Sequence, residues 1–582
     1  MNNIHFKSPY LTDINSVHTP CDFNTSEKTG IYKIEFTVNQ TARLKEAVLF
    51  SGEHGFSADT AFYGDGYQKL SQYKGTVSHF DTITGYTDKD HYKMPQTDGF
   101  KTVYNYALFG KGENTVLIGA AGCNRFRTEL RINDTELQVV QCLENLKFEK
   151  DEKIRLEDMV ILKGERNKIL AQFAEIINKN HPVKKYSEMP VGWCSWYCIG
   201  PNISEKDVFE NLKVIKEKTP QLKYIQIDDG FQPFMGDWLE TSDKFSRPMK
   251  DICKDIKRAG FEPAIWLAPF IASPKSRLLK KHPDYFVQDE NGSPLCSKDV
   301  TFGGWRDGPW YMLDGTNPDT QKFIYDTVYE IYHNWGVKYF KLDANVWGAL
   351  PFGNRYDKNA TAAQAYRRGM EAFWKATGDD AFVLGCNAPM WPSLGLVSGM
   401  RITNDVVRNV KHMASLSEQC FSRNWMHNKL WINDPDCLIM TDALPPIMDP
   451  AGIVHKSSVK KKFYKLNNIC IRASGGMVLS GDYVSKYGKS EIERLKRILD
   501  TDYTAAQFDD SLEIGTKETK NGTKYFIFNR KKFIKKYEIF VPFGYTATDL
   551  YLNKPLNAKN GKLTIHLTKN DCAWIEVSSI KK

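Results

Sequence analysis

The 582-residue sequence contains no apolar run near the roughly 18 residues that a membrane-crossing helix needs. Its start, Met1-Asn2-Asn3-Ile4-His5-Phe6-Lys7, has no apolar stretch after a basic cluster, so no secretory leader is read there. Twelve cysteines are present, but the closest pair, Cys194 and Cys198, has no second pair at metal-finger spacing. Unpaired, buried thiols in a reducing compartment are expected, which makes the chain a cytoplasmic protein with no membrane contact. Net charge is +9, yet the basic runs (Lys460-Lys461-Lys462, Lys531-Lys532, Lys581-Lys582) are short and read as solvated faces rather than a nucleic-acid patch. No G-x-S-x-G elbow points to a serine triad, and no glycine-rich phosphate turn points to a doubly wound nucleotide-binding sheet. Long repeats and low-complexity tracts are also missing.

What is present is aromatic: 13 Trp, 28 Tyr and 33 Phe, enough for a sizeable core and for platforms on which sugar rings can stack. The length implies two to four domains. Residues 1–165 read as short antiparallel strands (32–38, 115–119 and 137–141 among them), a β-sandwich, with 62–68 as a loop. A helical linker over 166–185 follows, ending in the basic segment His181-Pro182-Val183-Lys184-Lys185. From 186 to 500 strands alternate with helices. Ser204 with Asp207, and Thr361 with Gln364, mark two helix starts as capping boxes. Strands are expected at 190–196, 224–229, 262–269, 310–314, 337–343, 381–386, 399–402 and 430–433, a (β/α)8 TIM barrel. The pattern returns to antiparallel β over 501–582.

Functional groups of a parallel barrel collect at the C-terminal strand ends. There the sequence puts Trp196 and Tyr197, Asp228 and Asp229, Trp266, Asp314, Lys341 with Asp343, Cys386 with Asn387, Arg401 with Asp405, and Asp434 with Asp436. Side chains alternate along a strand, so Lys341 and Asp343 share a face. Carboxylates at many strand ends with aromatics between them are the equipment of glycoside hydrolysis. No histidine stands among them to complete a metal site, and neither a metal nor a cofactor is expected.

Seven motifs in order carry a resemblance: Trp193-Cys194-Ser195-Trp196-Tyr197, Gln226-Ile227-Asp228-Asp229, Ile265-Trp266-Leu267-Ala268-Pro269, Tyr339-Phe340-Lys341-Leu342-Asp343, Leu384-Gly385-Cys386, Gly399-Met400-Arg401 with Asp405, and Trp431-Ile432-Asn433-Asp434-Pro435-Asp436-Cys437. Over about residues 185–440 the chain resembles family 36 glycoside hydrolases, the melibiase-type α-galactosidases. The resemblance implies a retaining exo-α-galactosidase with Asp343 as nucleophile and Asp405 as general acid/base. Trp196, Tyr197, Asp228, Asp229, Trp266, Lys341, Cys386 and Arg401 would then line the galactosyl subsite, and the partner would be a small carbohydrate. Lys341 is expected to hold Asp343 ionised, and the field of Asp343 to keep a proton on Asp405. Two departures from the family stand out. Relatives carry a Trp on an N-terminal loop that reaches the sugar. Here the corresponding stretch, Tyr63-Gly64-Asp65-Gly66-Tyr67-Gln68, has none, and Tyr67 is the candidate in its place. Ala344 follows the nucleophile where relatives have bulkier residues, which suggests room for a larger 2-substituent. That keeps an α-N-acetylgalactosaminidase as an alternative, beside a raffinose-synthase-like transferase and a non-catalytic sugar-binding protein.

Overall fold

Strands buried on both faces need continuous apolar sequence, and the central segments supply it. In the computed structural model they form eight parallel strands: Val191–Cys194, Tyr224–Ile227, Glu262–Leu267, Tyr339–Leu342, Phe382–Gly385, Gly399–Arg401, Ile432–Asp434 and Val478–Ser480. The structure describes residues 7–186, 188–442, 459–499 and 502–580, and the backbone of two short strands, Ile447–Met448 and Val454–His455. Residues 1–6, the Lys581-Lys582 pair and the 500/501 boundary read from sequence lie outside the described residues.

Two strand assignments are corrected. The segment 310–314 is not a barrel strand: Tyr311–Met312 pairs antiparallel with Ile271–Ala272 in a separate ribbon. Asp314 there is a turn residue, its carboxylate accepting from the Thr316 and Tyr356 backbone N–H groups at 2.9 and 2.6 Å. The missing member is Val478–Ser480, which pairs with Val191–Cys194. It meets the other end of the sheet through Met477 N–H donating to the Asn433 carbonyl at 3.0 Å and a parallel bridge between Leu438 and Ser480. A Cβ on Gly476 would lie 1.9 Å from that carbonyl, so only glycine allows the closure.

Along Tyr339–Leu342 the period of two sends Phe340 outward onto Phe373 of the helix Ala362–Thr377, ring centroids 5.1 Å apart and near-perpendicular. Tyr339 and Lys341 point inward, Tyr339 donating to Gln226 at 2.8 Å. Both expected capping boxes form, at Ser204–Asp207 and Thr361–Gln364.

Before the barrel, fourteen antiparallel strands between Tyr10 and Gly164 join in one hydrogen-bonded network, with Ala42–Glu53 against Glu136–Phe148 as its longest pairing. The stretch 62–68 is only half a loop, since Ala61–Asp65 is a strand. The helix Arg166–Asn180 is wedged between this sheet and the barrel: its Phe173 contacts Tyr106, Trp391 and Trp425, and Trp391 donates across the seam to the Ala120 carbonyl at 2.7 Å. After the barrel come a six-stranded antiparallel sheet and a separate ribbon, Lys535–Phe540 with Lys562–Leu567.

Candidate active site

At the C-terminal ends of the barrel strands lies a cavity of about 450 Å³. Trp196, Tyr197, Asp228, Asp229, Trp266, Lys341, Asp343 and Asp405 all line it. Cys386 and Arg401, both 1 % exposed, lie behind its wall. Burial and the charge of Asp343 push the Cys386 thiol up, so it stays protonated.

Asp343 is almost enclosed, at 7 % exposure, and its oxygens are held by neutral donors. Oδ1 accepts from Asn387 Nδ2 and from the Ala344 backbone N–H, each at 2.8 Å, and Oδ2 accepts from Trp266 Nε1 at 3.2 Å. Lys341 is not its ion-pair partner. Although both side chains share a face, the ammonium turns to Asp228 Oδ2 at 2.9 Å. Burial raises the Asp228 carboxyl against that charge; burial also works against the Lys341 ammonium, but Asp228, and to a smaller degree Asp343, help to outweigh it and hold Lys341 protonated. The neighbouring Asp229 is engaged separately by Arg306, with bonds of 2.5 and 3.2 Å, and by Gln232 at 2.8 Å.

Asp405 has the opposite surroundings. Its side chain keeps 53 % exposure, and Oδ1 takes Lys69 Nζ at 2.9 Å and an Arg401 guanidinium N–H at 2.8 Å. Desolvation pushes its pKa up, but the charges of Lys69, Arg401 and Lys341 outweigh it and hold the carboxyl far below the ordinary range. The expected field of Asp343, which would keep a proton on Asp405, is overcome by cations. Arg401 also binds Tyr197 Oη at 3.1 Å and pairs with Asp436. Asp434 is buried at 5 % exposure, and burial raises its carboxyl to about 6.

The N-terminal contribution comes from beside the expected place. Tyr67 is buried and donates to the Ala349 carbonyl at 2.8 Å, away from the cavity. Two residues on, Lys69 and Leu70 enter the wall, together with Tyr86, His91 and Tyr92. His91 stacks on Phe302, centroids 4.0 Å apart, and burial with nearby Lys69 lowers it to about 4, leaving a neutral ring at neutral pH. Trp305 and Arg306, on the long excursion between the two ribbon strands Ile271–Ala272 and Tyr311–Met312, are likewise absent from the residues that the sequence points to. An isolated Lys or Trp in a loop carries no spacing signal, so none of these was legible. Ala344 fails its assignment. It is wholly buried at φ 52° and does not line the cavity, so its small side chain gives no room beside a sugar.

Among the described residues no group of three or more His, Cys, Asp and Glu is arranged to hold a metal ion. The wall carboxylates are instead occupied by lysine, arginine and amide donors. Such a site can bind a polyhydroxylated ligand through charged acceptors and indole faces, and it offers two carboxyls in different protonation environments.

Residues 171–374 match the family model described as Melibiase. Alpha-galactosidase Mel36A of Lactobacillus acidophilus is 22 % identical over 297 residues, 48 % of this chain but 37 % of that protein's length. Among solved structures, the alpha-galactosidase TtGalA of Thermus thermophilus with p-nitrophenyl alpha-D-galactopyranoside superposes with a TM-score of 0.62 at 19 % identity, covering 87 % of this chain and 98 % of that one. The GH36 alpha-galactosidase AgaA of Geobacillus stearothermophilus gives 0.61 at 12 % identity, covering 99 % and 87 %. These structures share the fold, and no helix among the described residues is long and apolar enough to cross a membrane. The family match covers four barrel strands and Asp343, so over residues 171–374 the chain is similar to the melibiase-type glycoside hydrolases, and it spans less than half the length of the curated relatives it matches.

Proposed function

We propose that the chain is a retaining exo-α-galactosidase that releases terminal α-linked galactose from oligosaccharides or glycoconjugates. The observation that carries this reading is that Asp343 and Asp405 line one cavity at the barrel mouth. A volume of about 450 Å³ suits a small ligand, and the aromatic and carboxylate wall suits a sugar. In the first step an Asp343 oxygen bonds to the anomeric carbon as the glycosidic C–O bond breaks, and the departing oxygen takes a proton from Asp405 in the minor protonated form of the site. In the second, water attacks the anomeric carbon, gives its proton to Asp405, and Asp343 leaves as carboxylate. Trp266, Asn387 and the Ala344 N–H aim Asp343 and disperse its charge. Asp228 and Asp229 accept from sugar hydroxyls, Trp266 presents its face to the ring, and Trp196 and Tyr197 close the wall. Arg401 and Cys386 support it from behind.

Proton NMR of the sugar first released from 4-nitrophenyl α-galactoside tests the reading. The α-anomer is expected, and release of the β-anomer, or no release, overturns it. Division into 1–165, 166–185, 186–500 and 501–582 fits the change of strand pattern along the chain. Twelve cysteines, none disulfide-bonded, suit a cytoplasmic setting.

A further inference from the structure

Lys69 stands apart from the other cations of the site because it comes from outside the barrel. It lies on the turn between Ala61–Asp65 and Gln72–Thr76, two antiparallel strands of the N-terminal sheet. That turn is fastened at several points, to the barrel and to the helix Asp88–Tyr92 of the N-terminal region. Asp65 pairs with Arg423, both 0 % exposed, and the Arg423 guanidinium also donates to the Lys69 carbonyl at 3.0 Å. Met390 N–H donates to the Tyr67 carbonyl at 2.8 Å, and Asp88 accepts from Tyr67 N–H and from the Gln68 amide, each at 2.9 Å. A Cβ on Gly66 would lie 2.3 Å from the Ser71 carbonyl, so the turn is as tight as a chain can make it. The Lys69 side chain is 2 % exposed, and its one ion pair among the described residues is with Asp405. A buried ammonium needs its anion, so this contact is held and not incidental.

We propose that Lys69 is a positioning residue through which the N-terminal sheet sets the protonation state of Asp405, and with it the leaving groups the site accepts. The proposal rests on Asp405 being the general acid/base. Asp405 is faced by Lys69 from the turn, by Arg401 and Lys341 from the barrel strands, and by His412, whose Nε2 meets the Asp405 backbone carbonyl at 2.6 Å. Tyr197 and Asp436 reach it through Arg401. Two cations share one oxygen of Asp405, which favours the carboxylate. The free enzyme therefore holds its acid/base in the base form, ready for the hydrolytic step. Bond cleavage that needs a proton is disfavoured until Lys69 is drawn off. Galactosides of acidic hydroxyls, which depart with little proton help, are the preferred class, and galactosides of sugar hydroxyls are slower.

The test compares wild type, Lys69→Met and Lys69→Arg by kcat/KM against pH, with 4-nitrophenyl α-galactoside and with an α-galactosyl disaccharide. Removing the charge raises the Asp405 pKa, so the alkaline limb moves to higher pH, by about one unit or more in Lys69→Met. On that limb the protonated fraction rises about tenfold per unit, so disaccharide cleavage gains on aryl cleavage by up to that factor. Lys69→Arg leaves the limb in place. An alkaline limb unmoved in Lys69→Met, with both substrates falling together, overturns the proposal. A carbon-13 titration of the Asp405 carboxyl, assigned with Asp405→Asn, reads the same effect without turnover. Should the wild type cleave no α-galactoside, the function reading fails by itself. The titration then decides on Lys69, and an Asp405 midpoint equal in wild type and Lys69→Met overturns its role.

Discussion

Asp343 and Asp405 face one cavity, yet they are held by opposite kinds of partner. Asp343 sits at a barrel strand end, nearly closed off, with an indole, a carboxamide and a backbone N–H around it. Asp405 sits four residues past a strand end, half open, against two cations, one of them from the N-terminal sheet. Neutral donors fix a carboxylate's direction without neutralising its charge, which suits a group that must attack. Cations fix protonation, which suits a group that must exchange a proton. The barrel thus builds one carboxylate alone, and the second needs a neighbouring region.

The sharpest way to separate the two is to remove each and offer azide. Asp343→Ala should lose activity by on the order of 10³-fold or more, and azide should rescue it to the β-galactosyl azide. Asp405→Ala should retain more activity on the aryl substrate than on a disaccharide, by roughly 10²-fold, and yield the α-azide. The same azide anomer from both variants would erase the distinction. Next, Trp266→Phe removes one donor to Asp343 and keeps an aromatic face. A bond to a charged group is worth about 1.5–3 kcal/mol, so kcat/KM should fall roughly 10- to 100-fold. An unchanged value would mean the indole N–H does not act on Asp343. Last and smallest for chemistry, Asp65→Asn uncouples the turn from Arg423. Leaving that guanidinium buried without its anion should cost about 3–5 kcal/mol of stability, read as a lowered thermal midpoint. A midpoint equal to wild type would show that the turn is not held by this pair.

The parts of this site that were legible have a regular spacing. Tyr339-Phe340-Lys341-Leu342-Asp343 ends a buried strand, and period two already places Lys341 and Asp343 on one face. It could not say where the ammonium goes, because Asp228 lies one strand beyond Glu262–Leu267, and only barrel closure brings it within 2.9 Å. A short apolar run such as 310–314 looks alike in a barrel strand and in a two-stranded ribbon. Val478–Ser480 is no shorter than Gly399–Arg401, but 310–314 fills its place in a count of eight strands taken from the sequence.

By itself the sequence determined the alternation of strands and helices, the capping boxes, and that Asp228, Asp343 and Asp434 stand at strand ends, since each follows from local periodicity and local hydrogen bonding. Tertiary structure alone decided that Lys341 pairs with Asp228, that Ala344 is buried away from the cavity, and that Lys69 reaches across 336 residues of chain to Asp405. Those are contacts between segments distant in sequence. Their partners are set by packing and by the demand that buried ammonium groups such as those of Lys341 and Lys69 find an opposite charge, a demand that one stretch of residues cannot express.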